Sequence, residues 1–463
     1  MCETNKMEDT TKEKCCRGNE LYGTVILSLA FTFIFTAYLA IQNLQSSLNQ
    51  VDGLGMISLS CLYATIIVSG ILAPAIIRAI GVKWCLIASF ICHIIYTGTN
   101  FYPTFATLVP SSVLLGITAG PMWTGQSVYI ANKAFSYAQR ANKDPHAILS
   151  FYNGIFFCMY ETTQITGNII SSVVLHQGTY NMTNNTLCGK DDCPIVTNSS
   201  QIEEPDRYIV YTLLGVFLGC DFIGLLISAF LLPPLSPLMD DGNQDNVRQS
   251  LISCGKALGD LDLVFLVPLT MFMAMEQAIL WTDFTKSFIS CPFGIQQIGF
   301  IMAAYGGSTT VFALLFSRLA EYSGRYVLFG IAAVINMAIF ISLFFFNPSM
   351  AEQSYIFIIA VIWGASEGIW QTQSNALIAF LFPEKKESAF ANYHTWKAIG
   401  FTITFVYGNF LCVSSKLYIA IVLLSVAMLL YAIVEIRVRR RRGSQDMVPF
   451  RQHKSATISQ TVL

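Results

Sequence analysis

Charge is what this chain has least of. Asp, Glu, Lys and Arg make up 12% of its 463 residues, against roughly 25% in a soluble globular domain. Apolar residues make up 54% and gather into long runs. A helix needs roughly 20 such residues in succession to cross a bilayer, so the composition excludes a soluble body and points to an integral membrane protein. Segment 1–20 is polar, with Lys6, Glu8, Asp9, Lys12, Glu13, Lys14 and Arg17. It lacks the short apolar core of a cleavable signal, so the run 21–41 is expected to remain as a helix. Other absences narrow the chemistry. No glycine-rich phosphate loop follows a strand, and no His/Cys cluster has metal-ligand spacing. No side chain reads as a nucleophile with its base. The sequence therefore predicts no enzyme, no cofactor and no metal. Its basic residues are scattered along loops and form no surface for nucleic acid.

What is present is a series of apolar runs between polar breaks. They place spans at 21–43, 54–77, 83–101, 106–131, 147–175, 208–232, 262–284, 296–316, 326–346, 354–380, 388–412 and 417–437. Twelve spans put both termini on one side, and Lys and Arg accumulate in cytoplasmic loops. The two tails and the connections after even-numbered spans hold 22 of the 27 basic residues. Both termini are therefore expected in the cytoplasm, with the protein in the plasma membrane. The loop 176–207 falls outside. It carries three glycosylation sequons, at Asn181, Asn184 and Asn198, which are used only on the external side. Cys188 and Cys193 share that loop and could oxidise to one another. Cys291 and Cys412 lie near external span ends and could form a second bridge. Free thiols are the alternative for each pair.

The expected organisation is a cytoplasmic tail 1–20, a six-helix half 21–232, a linker 233–261, a second half 262–437 and a basic tail 438–463. The linker is rich in Pro, Asp, Asn and Gln. The tail's Arg437, Arg439, Arg440, Arg441 and Arg442 read as an anchor touching anionic membrane lipids.

The halves are related. Gly116, Gly120, Trp123, Thr124, Gln126 and Ser127 recur as Gly364, Gly368, Trp370, Thr372, Gln373 and Ser374, about 248 residues later with one gap. Each motif precedes a basic loop. The segment 44–48 sits opposite 284–288, and the turn 80–83 opposite 323–326. Order and topology agree, so this is a parallel six-helix repeat, the arrangement of major facilitator transporters. Glycines four apart make a flat face on which two helices approach closely in lipid. The neighbouring Gln126 and Gln373 would then point to the adjacent helix or to a cavity.

These strings carry a resemblance. FTAYLAIQNLQSSLN at 35–49, FYNGIFF at 151–157, WGASEGIWQTQSNAL at 363–377 and AFANYHTWKAIGF at 389–401 resemble the Unc-ninety-three family of the major facilitator superfamily. The likeness covers essentially all spans. It implies an all-α facilitator fold of twelve transmembrane helices and a role as accessory subunit of a potassium channel. A second branch of the family implies a trafficking chaperone for membrane receptors, and the fold itself implies transport of a small-molecule solute. One departure bears on mechanism. Facilitators carry an acid three residues before the glycine of the loop between spans 2 and 3, as part of a latch between the halves. Here that position is Arg78, before Gly81, whereas the second half keeps Glu321 before Gly324 and Arg325.

A buried ionisable group in lipid is costly and marks a candidate site. Glu161, Glu276, Glu367 and Lys397 fall mid-span, with His394 three residues before Lys397. They are candidates for ion coupling around a central cavity; a fixed bridge from Glu276 or Glu367 to Lys397 is the alternative. Asp283 and Lys286, three apart, are expected to neutralise each other on one helix face. His93 is expected to be a hydrogen-bonded structural residue.

Overall fold

The computed structural model describes residues 4–143, 145–176, 188–193, 206–235, 259–346, 353–382 and 386–446. The three sequons, most of the linker 233–261, the tail beyond 446 and the side chains of 4–20 and 320–323 lie outside that description, and with them Asn181, Asn184, Asn198 and the Glu321 carboxylate. Among the described residues the chain is helical and contains no strand. In lipid only a helix or a closed barrel satisfies every backbone polar group, and these long apolar segments take the first course.

The first half comprises α1 (Thr4–Leu48), α2 (Leu54–Ile80), α3 (Val82–Thr99), α4 (Phe105–Ala141), α5 (Pro145–Leu175) and α6 (Arg207–Leu226). The second comprises α7 (Leu261–Ile279), α8 (Gln297–Ser323), α9 (Arg325–Phe344), α10 (Gln353–Leu381), α11 (Lys386–Gly408) and α12 (Val413–Asp446). Helix α7 continues through a π-wound stretch, Leu280–Ser290, into Cys291–Phe293. Nine of these segments, among the described residues, are long and apolar enough to cross a membrane. The other three are α5, α10 and α11, which carry Glu161, Glu367 and Lys397.

Packing repeats with the sequence. In the first half α1 lies against α5 and α6, α2 against α4, and α3 against α4 and α6. Each pairing has its counterpart six helices later: α7 against α11 and α12, α8 against α10, α9 against α10 and α12. The glycine motif explains the tightest of these. A Cβ at Gly120 would come 2.5 Å from the Ser69 carbonyl carbon of α2, and one at Gly368 would come 2.8 Å from the Ala313 amide of α8. Such a distance allows only glycine unless the backbone moves. Gly81 and Gly324, at the starts of α3 and α9, share a positive φ of 82° and 78°.

The halves meet through α2 with α11 and α5 with α8, the same pair under the repeat. Two hydrogen bonds join them toward the end opposite the termini. There Ser46 Oγ donates to the Thr282 carbonyl at 3.0 Å, and Ser172 Oγ to the Gln296 carbonyl at 2.6 Å. Tyr63 of α2 stacks on Phe401 of α11, ring centres 4.5 Å apart.

The cysteine pairing departs from the sequence expectation. Cys188 bonds Cys291, and Cys193 bonds Cys412. A 3-10 turn at Gly189–Asp191 sends the two loop cysteines to different partners: one reaches the far end of α7, the other the turn between α11 and α12. Asp192 sets the turn in place. Its carboxylate accepts from Ser287 Oγ at 2.6 Å and pairs with Lys286 at 3.1 Å, while its carbonyl accepts from the Val413 amide at 3.0 Å. A loop of the first half is thus tied covalently to the second.

The expected Asp283–Lys286 pair does not form either. Asp283 pairs with Lys416 at 2.6 Å, both almost fully buried. The cause is the π winding, whose wider i→i+5 pattern turns residues three apart off a common face. At the opposite end Arg325 pairs with Glu435 of α12 at 3.2 Å and Arg437 with Asp262 at 2.8 Å. Part of the basic cluster at 437–442 is therefore held by intramolecular partners.

Candidate functional site: a central cavity between the halves

A cavity of about 240 Å³ lies between the halves. Helical spacing decides what reaches it, because residues three, four and seven apart share a face. Helix α1 contributes Phe35, Tyr38, Leu39 and Gln42; α7 contributes Gln277 and Trp281; α10 contributes Glu367 and Gln371. Glu161 and Gln164 enter from α5, and Lys397 from α11.

Three of the four mid-span charges therefore line one cavity. Glu367 is buried, 3% exposed, and accepts a short hydrogen bond from Gln277 Nε2 on Oε1; its Oε2 has no partner. Gln371, one turn beyond Glu367, lies beside the Glu161 carboxylate. The Lys397 ammonium sits 5.9 Å from the centre of the Phe401 ring. Among the described residues no ion pair joins Lys397 to Glu161, Glu276 or Glu367.

Glu276 is placed elsewhere. One residue from Gln277, it is turned about 100° around the same helix. It is fully buried behind the cavity wall, where its Oε1 accepts from Trp363 Nε1 at 2.6 Å. His394 is exposed against the Tyr393 ring and does not line the cavity. Gln126 and Gln373 are buried within their halves: Gln126 Oε1 accepts from Ser127 Oγ at 3.1 Å, and Gln373 Nε2 donates to Thr372 Oγ1 at 3.4 Å. Their Trp neighbours divide: Trp123 reaches the cavity, whereas Trp370 packs among Phe272 and Phe329. Asp221 of α6 accepts from Thr97 Oγ1 at 2.6 Å and ties α6 to α3.

Several lining residues escaped the sequence reading. His93 has its Nδ1 2.9 Å from the Ser89 carbonyl, as a structural histidine would, yet its ring also faces the cavity beside Phe35 and Tyr38. Phe35, Trp123 and Tyr160 form an aromatic wall on the first-half side, ring centres 5.2–5.5 Å apart. Trp281 and Tyr305 face them from the second half. Polar spacing on α10 could have singled out Gln371. The aromatic rings carried no such signal, since apolar residues fill every face of a membrane helix.

A polytopic helical bundle of two repeated halves around a polar, aromatic-walled cavity is the architecture of facilitator-type membrane proteins. The nucleoside transporter NupG shares that fold, with a TM-score of 0.59 at 11% identity, covering 89% of this chain and 98% of NupG. The chain belongs to the family described as ion channel regulatory protein UNC-93, whose profile matches residues 47–435. Protein unc-93 homolog A of Xenopus laevis is 36% identical over 96% of this chain and all of its own length. The putative potassium channel regulatory protein unc-93 of Caenorhabditis elegans is 30% identical over 93% of this chain and 63% of its own length.

Proposed function

We propose that this protein acts in the plasma membrane as an accessory subunit that regulates a potassium channel. Membership of the UNC-93 family carries this reading, together with a nematode relative named for potassium channel regulation. In this reading both termini and the linker 233–261 are cytoplasmic, and the disulfide-bonded end, with the sequons at Asn181, Asn184 and Asn198, is extracellular. The charge bias of the loops supports that orientation. Co-expression with a panel of potassium channels tests the proposal: one channel should change its current amplitude or gating and co-purify with the chain. Unchanged currents across the panel, with no co-purification, would overturn it.

One observation favours a second reading. Glu161, Glu367 and Lys397 line a single cavity without pairing to one another, and mid-membrane carboxylates in this fold bind coupling cations or protons. Coupled transport of a small solute would use them. Its test is solute uptake into liposomes under a proton or sodium gradient, abolished by Glu367→Gln. If no gradient drives uptake, this reading fails and the channel reading is untouched.

A further inference from the structure

The cavity holds charges of both signs, and they do not neutralise each other directly. Glu367 is almost wholly buried with Oε2 unpartnered, and Lys397 makes no ion pair with either lining carboxylate among the described residues. An unpaired charge in such surroundings is costly. A ligand offsets that cost only if it brings the opposite sign to each group. A simple cation would satisfy Glu161 or Glu367 but leave Lys397 unpaired and repelled. A simple anion would meet Lys397 and face two carboxylates. A molecule carrying an ammonium and a carboxylate satisfies both.

The walls describe the rest of such a molecule. Phe35, Trp123 and Tyr160 face Trp281 and Tyr305 across the cavity, a lining that suits an aromatic or apolar body. The volume of about 240 Å³ is below the roughly 300–1,000 Å³ of pockets for drug-sized ligands. It suits a compound the size of a single amino acid. We propose that the cavity binds a small amino-acid-like zwitterion with an aromatic or apolar body, its ammonium toward Glu367 and Glu161 and its carboxylate toward Lys397. This rests on the cavity being a solute site, as the transport reading requires, but not on the solute being carried across.

Binding to the purified full chain in detergent tests this without any gradient. The probes are L-phenylalanine, 2-phenylethylamine, which lacks the carboxylate, and 3-phenylpropionate, which lacks the ammonium. L-Phenylalanine should bind about tenfold or more tighter than either, the scale of one charge-assisted hydrogen bond. Lys397→Met should bring its affinity down to that of the amine and leave amine binding in place, which also reports that the variant is folded. Glu367→Gln should bring it down to that of the acid. The proposal is overturned if none of the three binds at millimolar concentration. It is overturned equally if the amine or the acid matches L-phenylalanine, or if Lys397→Met keeps the full preference. L-Phenylalanine binding without gradient-driven uptake would remove the transport reading alone. Gradient-driven uptake of a purely cationic or anionic solute, without L-phenylalanine binding, would remove this proposal alone.

Discussion

Asp283 and Lys416 show at the residue scale how a charge survives inside this protein. Each is under a tenth exposed, and they meet at 2.6 Å. Removing one partner of a buried pair strands the other, at a cost of roughly 3–5 kcal/mol. Asp283→Ala and Lys416→Ala should therefore each lower the thermal unfolding midpoint of the purified protein markedly. The double replacement by apolar residues of similar volume should recover most of the loss. Additive losses in the double variant would show that the two side chains act separately. Nothing local in the sequence singles out Lys416, because its partner lies 133 positions away. The nearer candidate, Lys286, was taken by Asp192 instead. Spacing rules presume α geometry, and the π winding of Leu280–Ser290 removed that premise.

At the scale of elements, the repeated glycine faces were legible from the sequence alone. Gly116 and Gly120 meet α2, and Gly364 and Gly368 meet α8, as the doubled motif predicts. With little hydrophobic drive between helices in lipid, close backbone approach holds such pairs together. Gly120→Val and Gly368→Val should each cost at least ~1–3 kcal/mol through overpacking, seen as lost monodispersity in size-exclusion chromatography. At Gly215 and Gly219 on α6 an added Cβ would meet no atom within 4 Å, so Gly219→Ala should leave the elution profile unchanged. Equal damage at all three sites would mean that glycine serves helix flexibility here rather than close packing. The same motif's glutamines were less legible. Their places on α4 and α10 turn them into their own halves, and only the packing of those helices reveals which side that is.

For the whole molecule, the pairing of four cysteines matters most. Cys188–Cys291 and Cys193–Cys412 carry the loop after α5 onto the second half. Peptide mapping without reduction should recover those two links. Cys193→Ser should abolish the link to Cys412 and keep Cys188–Cys291, at a stability cost of roughly 2–4 kcal/mol. Recovery of Cys188–Cys193 as the native link would refute the arrangement. The sequence placed all four cysteines at one end of the bundle but matched each with its chain neighbour or span-end neighbour. Nothing local indicates that a loop of one half docks on the other.

What the sequence determined by itself is the membrane character, the helical class, the two-fold repeat and the glycine contacts. All of these follow from periodicity and composition, which act through neighbours along the chain or through the bilayer. What only the tertiary structure decided is which charges share a space. Glu276 and Gln277 are adjacent in sequence, yet one is sealed behind Trp363 and the other faces Glu367 in the cavity. The rotation of a helix against its neighbours sets that outcome. In a chain apolar on every face, no amphipathic stripe records it in advance.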